Sequence, residues 1–234
     1  MKNDQDIVRS EYLYYRALEQ LGIDTVTTAD MGLEEGNKPG LWMRRFDRQI
    51  TRQGVERLAV ESIYSLAGVT VPGSAMEHLE VIRLLADLWK QNGQKKDIDD
   101  LVAEYLRRDL INKILGNSDN HGRNTAVIRS HGRYRLAPIY DLAPMVMDAE
   151  GVTRTTKWAR PIELAGEIDW RAACETLADI VVPQQAFERL RHDADSLRGL
   201  PGILRDSGLP EVTFKHPAIA LSNLDQRLSD WGLR

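Results

Sequence analysis

The chain is poor in the residues that would staple it, span a bilayer or grip nucleic acid. Cysteine occurs once, at Cys174, so no internal disulfide can form, which fits a reducing compartment. Its neighbours Ala172, Ala173 and Leu177 recur on a helical period and mark it as a small core residue rather than a nucleophile. No apolar run approaches the roughly 20 residues a transmembrane helix needs. The opening MKNDQDIVRSEYLYY also lacks the apolar stretch of a signal peptide. A cytoplasmic location with no membrane association is the expectation. There is no surplus of positive charge either: 31 Lys and Arg face 35 Asp and Glu, a net charge of −4. That balance argues against direct nucleic-acid binding, so any DNA contact would come through a partner protein.

What is present suffices for a folded domain. Hydrophobic residues make up 42% and charged residues 28% of the 234 positions, ordinary globular values. Residues 10–21 place Tyr12, Leu13, Ala17 and Leu21 near one helix face, with Gly22 as a stop. Two extended stretches, around 25–29 and 40–46, flank MGLEEGNKPG, which reads as a hairpin loop and as the only strongly β-like part of the first hundred residues. From Gly54 the pattern turns helical. Leu58, Ile63 and Leu66 mark one helix ending near Gly68, and residues 77–92 form another with Leu79, Ile82, Leu85 and Trp89 on one stripe. Residues 97–115 form the longest, with Asp97 as N-cap and Gly116 as the left-handed stop.

Beyond Gly116 the period changes. Residues 117–124 are polar and loop-like, and 125–129 and 134–137 read as strands joined by the turn SHGR. Residues 150–167 have no clear period, and helices return near 170–180, 184–197 and 219–231. The expected class is α+β: a small β-containing lobe (residues 1–50) packed on a larger, mostly helical lobe (residues 51–234).

The chemistry concentrates in GNSDNHGRN, residues 116–124, followed beyond the hairpin by Ile139-Tyr140-Asp141-Leu142. A long helix, a loop with Asp and Asn five apart, a hairpin and a second Asp is the order found in protein kinases. Phosphoryl transfer needs an acceptor hydroxyl held in line, which one carboxylate can do, and Mg²⁺ favours a few hard oxygen ligands, which one carboxamide and one carboxylate supply. Alone, Asp-x-x-x-x-Asn is a weak signal, because such residues also build ordinary turns.

The string GNSDNHGRN with RYRLAPIYDLAP resembles the signature of the HipA family, the kinase toxins of bacterial toxin–antitoxin modules. LWMRRFDR resembles that family's hinge strand and RLAVESIYSLAG the helix after it, so the resemblance covers about residues 8–145. It implies a bilobed kinase fold and ATP-dependent serine/threonine kinase activity with Mg²⁺. Asp119 would be the catalytic base, and Asn124 and Asp141 the metal ligands. His121, Gly122, Arg123, Asn124, Tyr140 and Asp141 would line the nucleotide phosphates. Arg44, Arg45 and Phe46 would offer hinge main chain to adenine, with Asp47 near the ribose. The implied partners are an antitoxin and a protein substrate, with an aminoacyl-tRNA synthetase as the candidate.

Two family parts are not visible: a Gly/Ser-rich phosphate loop and a phosphate-binding lysine ahead of the first helix. MKNDQDIVR offers Lys2 and Arg9 in that region, and Glu11 resembles the acidic partner of the missing lysine. Three readings stay open: a piece of a longer protein, a subunit completed by a separate N-terminal polypeptide, or a non-catalytic pseudokinase. A metal-dependent phosphohydrolase using Asp119, His121 and Asp141 is a further rival.

Overall fold

The structure is a computed structural model that describes residues 2–234; the Lys2 side chain noted above lies outside the described atoms. Helix α1 (Lys2–Gln20) starts well before Ser10. Its first turns, KNDQD, are polar and hide the period, but Ile7 is buried and extends the apolar face toward the N-terminus. Strands β1 (Gly32–Glu34) and β2 (Gly40–Trp42) pair antiparallel, with Leu33 opposite Leu41. The strand β1 therefore lies inside the segment read as loop, and residues 25–29 contribute only a bridge from Thr25 to Ile139.

The larger correction follows. Residues 48–62 are three strands, β3 (Arg48–Thr51), β4 (Gly54–Arg57) and β5 (Ala59–Ser62), and only then comes the one-turn helix α2 (Ile63–Leu66). The helix expected from Leu58 is a strand there because β5 pairs antiparallel with β7 (Ala126–Ser130), with Val60 opposite Ile128. That partner lies far along the chain, so local period could not reveal it. Ser62 then caps α2, its hydroxyl accepting the Ser65 N–H at 3.3 Å.

Strand β6 (Met76–Glu77) leads into α3 (His78–Gln91) and α4 (Ile98–Leu115), close to the expected bounds. Asp97 stands at the N-cap position of α4 but makes no capping bond; its carboxylate accepts from Gln94 and Arg133 instead. The strand β7 continues into β8 (Arg133–Leu136), giving a sheet ordered β5-β7-β8. The aperiodic region holds β9 (Thr156–Lys157), which pairs parallel to β6, and the small hairpin β10 (Glu163–Leu164) with β11 (Glu167–Ile168). Helices α5 (Trp170–Glu175), α6 (Pro183–Ser196), α7 (Leu200–Asp206), α8 (Glu211–Phe214) and α9 (Leu224–Asp230) complete the chain. The short α7 and α8 escape sequence reading because a proline that reads as punctuation, Pro201 in the first turn of α7 and Pro210 at the N-cap of α8, stands at the start of each.

One apolar core runs from Ile7 to Leu233. Helix α4 is buried on nearly every side, by Leu101, Val102, Leu106, Leu110, Ile111, Ile114 and Leu115. Helix α1 packs on α7 and α8, where the Ser10 and Thr213 hydroxyls bond at 2.9 Å. Cys174 is buried and its thiol is pushed up to about 12 by that burial, so it is inert as expected.

A charged group also lies in this core. Asp109 of α4 accepts from Arg154 Nη2 at 2.7 Å and from Trp158 Nε1 at 2.9 Å, and sits 3.5 Å from His78 Nε2. His78 Nδ1 in turn bonds the Tyr105 hydroxyl at 2.8 Å. Burial pushes the His78 pKa down to about 4 and keeps it neutral. The network pins residues 154–158 against α4, and the Thr156 N–H then reaches the Asn120 carbonyl at 3.1 Å.

Gly116 sets where α4 stops. Its φ is +71°, and an added Cβ would meet Ile219 at 2.6 Å and Val146 at 2.8 Å. Gly132 has φ +76°, and an added Cβ there would meet nothing within 4 Å. Gly132→Ala should therefore cost about 1 kcal/mol of left-handed strain. Gly116→Ala should cost roughly 2–4 kcal/mol, because overpacking adds to the strain. Urea midpoints of both variants would check this, and equal losses would refute the close-packing account.

Candidate active site

The polar loop after α4 is organised by a residue that sequence reading passed over. Asn117 is buried, and its Oδ1 accepts the Asp119 N–H at 3.2 Å while its Nδ2 donates to the Asp141 carbonyl at 3.3 Å and to Asn112 Oδ1 at 3.0 Å. One carboxamide thus ties the two expected carboxylate-bearing turns together. The i to i+2 bond to Asp119 is an Asx turn that the spacing Asn-x-Asp could have signalled. The bond to Asp141 crosses the hairpin and left no local trace.

The rest of the loop curls around Asp119. Its carbonyl accepts the His121 N–H at 3.1 Å and Asn124 Nδ2 at 2.8 Å. Its carboxylate accepts no hydrogen bond among the described residues and is partly open to solvent, with His121 Nε2 3.7 Å away. Among the described residues His121 makes no side-chain bond to backbone, and its buried Nδ1 has no partner. Gly122 is required by close approach: a Cβ there would come within 2.2 Å of the Tyr64 ring, and its carbonyl accepts the Tyr64 N–H at 3.0 Å. Arg123 is exposed, and its carbonyl takes the Tyr140 hydroxyl.

Asp141 adopts φ +54°, a left-handed conformation that aspartate tolerates at some cost. Two bonds hold it there: Asn117 on its carbonyl, and the Tyr15 hydroxyl, which accepts the following Leu142 N–H at 3.0 Å. The residue remains solvent-accessible, yet the Asp141 pKa is raised, first by partial desolvation and then by the charge of Asp119. His121 and a bond from Asn124 act in the opposite direction. Asp119, His121, Asn124 and Asp141 therefore share one electrostatic site.

Tyr15 also donates to Glu11 Oε1 at 2.9 Å. Burial, the largest cause, lifts the Glu11 pKa to about 7; the Tyr15 bond opposes this and the nearby Asp141 charge adds to it. Among the described residues no cation faces this carboxylate. The E-x-x-x-Y spacing on α1 could have signalled the Tyr15 bond.

The hinge residues are less uniformly placed. Phe46 packs on the Tyr140 ring, centroids 5.0 Å apart, and so joins the hinge to the Asp141 turn. The strand expected over residues 40–46 ends at Trp42, and the main chain of Arg44 and Phe46 makes no hydrogen bond among the described residues. Arg44 pairs with Asp30 at 3.3 Å. The buried Asp47 carboxylate is taken by Arg45 at 2.9 Å and by Arg48, and the Arg45 bond is the main cause holding its pKa down. Contact with a ribose would require exchanging those partners.

The donor set suits a hard cation. The Asn124 amide nitrogen is engaged while no described group donates to its carbonyl oxygen, and the Asp141 carboxylate lies within bonding reach of Asn124. Two oxygen ligands are what Mg²⁺ commonly takes from a protein when phosphates and water supply the rest.

The sequence matches the HipA-like C-terminal domain over residues 1–197. The chain belongs to that family. The match runs past the segment whose motifs resemble it, through the aperiodic region and α6. Two solved structures share the fold. The HipA of the Shewanella oneidensis MR-1 toxin–antitoxin system, solved with HipB and its operator DNA, aligns at TM-score 0.62 and 17% identity, over 96% of this chain and 55% of that one. The Helicobacter pylori proinflammatory kinase CtkA aligns at TM-score 0.54 and 15% identity, over 96% of this chain and 83% of that one. This HipA-like chain thus spans just over half the length of the HipA chain it matches. No curated protein sequence matches it. The α+β, kinase-like bilobed class expected from sequence is the fold these structures share. No helix among the described residues is long and apolar enough to cross a membrane.

Glu11 gives this HipA-like site a pH signature. Its folded pKa of about 7 lies above the ordinary 4.5, so folding disfavours the ionised form and stability declines as pH rises between those values. Glu11→Gln should stabilise the chain at pH 8 by up to about 3 kcal/mol and by much less at pH 5. Chemical denaturation at both pH values checks this; a gain independent of pH would contradict the buried-carboxylate assignment.

Proposed function

We propose that the chain is the ATP-dependent catalytic portion of a HipA-like serine/threonine protein kinase, the toxin of a toxin–antitoxin module. The observation that carries this is the bonded constellation of Asp119, Asn124 and Asp141 around Asn117, set in the HipA-like fold. The Asp119 carboxylate, free of donors, accepts the proton of the acceptor serine or threonine. Asn124 and Asp141 hold Mg²⁺, which offsets charge on the nucleotide phosphates when bound. His121, Gly122 and Arg123 line the phosphates, and the unpaired main chain at Arg44 and Phe46 faces adenine. Residues 1–50 act as the small lobe and residues 51–234 as the large one. The HipA structure contains HipB, which supports an antitoxin as partner. The family resemblance makes an aminoacyl-tRNA synthetase the candidate protein substrate. Among the described residues no group of three or more His, Cys, Asp or Glu is arranged to hold a metal, which favours a kinase site over the phosphohydrolase rival.

A second reading is a non-catalytic subunit that needs a separate partner. It is favoured by Glu11, a half-buried carboxylate with no described cation opposite it. A lysine delivered by another polypeptide would neutralise it.

Transfer of γ-phosphate to a serine/threonine protein tests the proposal, in the chain alone and with the product of any short gene beside it. Asp119→Asn should lower the rate about 10²–10⁴-fold. Equal labelling by wild type and variant would remove Asp119 as the base. Binding of Mg·ATP with no labelling under any condition would select the second reading.

A further inference from the structure

Helix α1 and the Asp141 turn meet through one hydroxyl. Tyr15 is fully buried, so its hydroxyl has no water to turn to. It donates to Glu11 Oε1 at 2.9 Å and accepts the Leu142 N–H at 3.0 Å. Leu142 is itself buried and follows the left-handed Asp141 directly. No other bond to the Leu142 N–H exists among the described residues. A strained residue holds its conformation only while its surroundings over-determine it, and here one of the two restraints comes from α1.

We infer that Tyr15 is a positioning residue: its hydroxyl transmits the placement of α1 to the turn that presents Asp141 and so sets the affinity of the metal site. The inference rests on the proposed metal role of Asp141 and deepens it. Leu142 cannot shift without breaking the Tyr15 bond, and Tyr15 cannot follow it without leaving Glu11. A cation placed against Glu11 would draw that carboxylate, and through Tyr15 it would bias the turn that presents Asp141. Outer-layer partners of this kind typically change metal affinity by about 10–100-fold when removed.

The neighbouring Tyr14 supplies a matched control. It is equally buried on the same helix, but its hydroxyl donates to the Leu115 carbonyl at 3.2 Å, away from the Asp141 turn. Mn²⁺ binding, read by electron paramagnetic resonance on the full chain without nucleotide, should weaken roughly 10–100-fold in Tyr15→Phe and stay unchanged in Tyr14→Phe. Asp141→Asn reports on the underlying reading. If it weakens binding while Tyr15→Phe does not, the inference fails and the metal assignment stands. If Asp141→Asn binds Mn²⁺ like wild type, the metal assignment itself fails and takes the inference with it. Should Tyr15→Phe not fold, hydrogen exchange on the wild-type chain decides. Saturating Mg²⁺ is expected to slow exchange of the Leu142 amide, and an unaltered rate overturns the coupling.

Discussion

Helix α4 is buried on nearly every side, and among its core residues it carries a carboxylate, Asp109, that no water can screen. A buried charge is tolerated only when paired and hydrogen-bonded, and Asp109 meets that demand with Arg154 and Trp158. The consequence reaches beyond the ion pair. Residues 154–158 have little regular structure of their own, yet they are fixed against α4 and thereby against the Asn120 carbonyl. The loop that leaves α4 at Gly116 is thus supported from its own helix and from the segment that follows Asp141.

On that support the site is assembled by two polar links and one aromatic contact. Asn117 joins the Asp119 and Asp141 turns, Tyr15 joins the Asp141 turn to α1, and Phe46 joins the hinge to Tyr140. Each link comes from a different part of the chain. Their convergence puts two carboxylates, a histidine and a carboxamide into one field: partial desolvation and then the Asp119 charge raise the Asp141 pKa, while His121 and Asn124 oppose the rise. Glu11 is the unresolved charge of this arrangement. Its elevated pKa marks a place where a positive group would relieve a penalty that the described residues leave standing.

Much of this was legible from residue order. The long helix and its glycine stop, the hairpin at His131 and Gly132, and the loop with Asp119, His121 and Asn124 all follow from local period and turn chemistry. The misread portion was β3 to β5. Leu58, Ile63 and Leu66 suit a helix face, but pairing of β5 with β7 took residues 59–62 into a sheet. Asp97 shows the same competition on a smaller scale: it occupies a cap position while a distant arginine and a glutamine claim its carboxylate.

The sequence by itself determined which residue types stand at which spacing, because caps, turns and helix stripes are set by neighbours within about four positions. It was their order along the chain and the resemblance to the HipA signature that named Asp119, Asn124 and Asp141 as a set. Tertiary structure alone decided how that set is held. Asn117 to Asp141, Tyr15 to Leu142 and Asp109 to Arg154 are contacts between residues far apart in the chain. Such bonds leave no periodic mark, because they depend on the packing of α1 and α4 rather than on any local conformational preference.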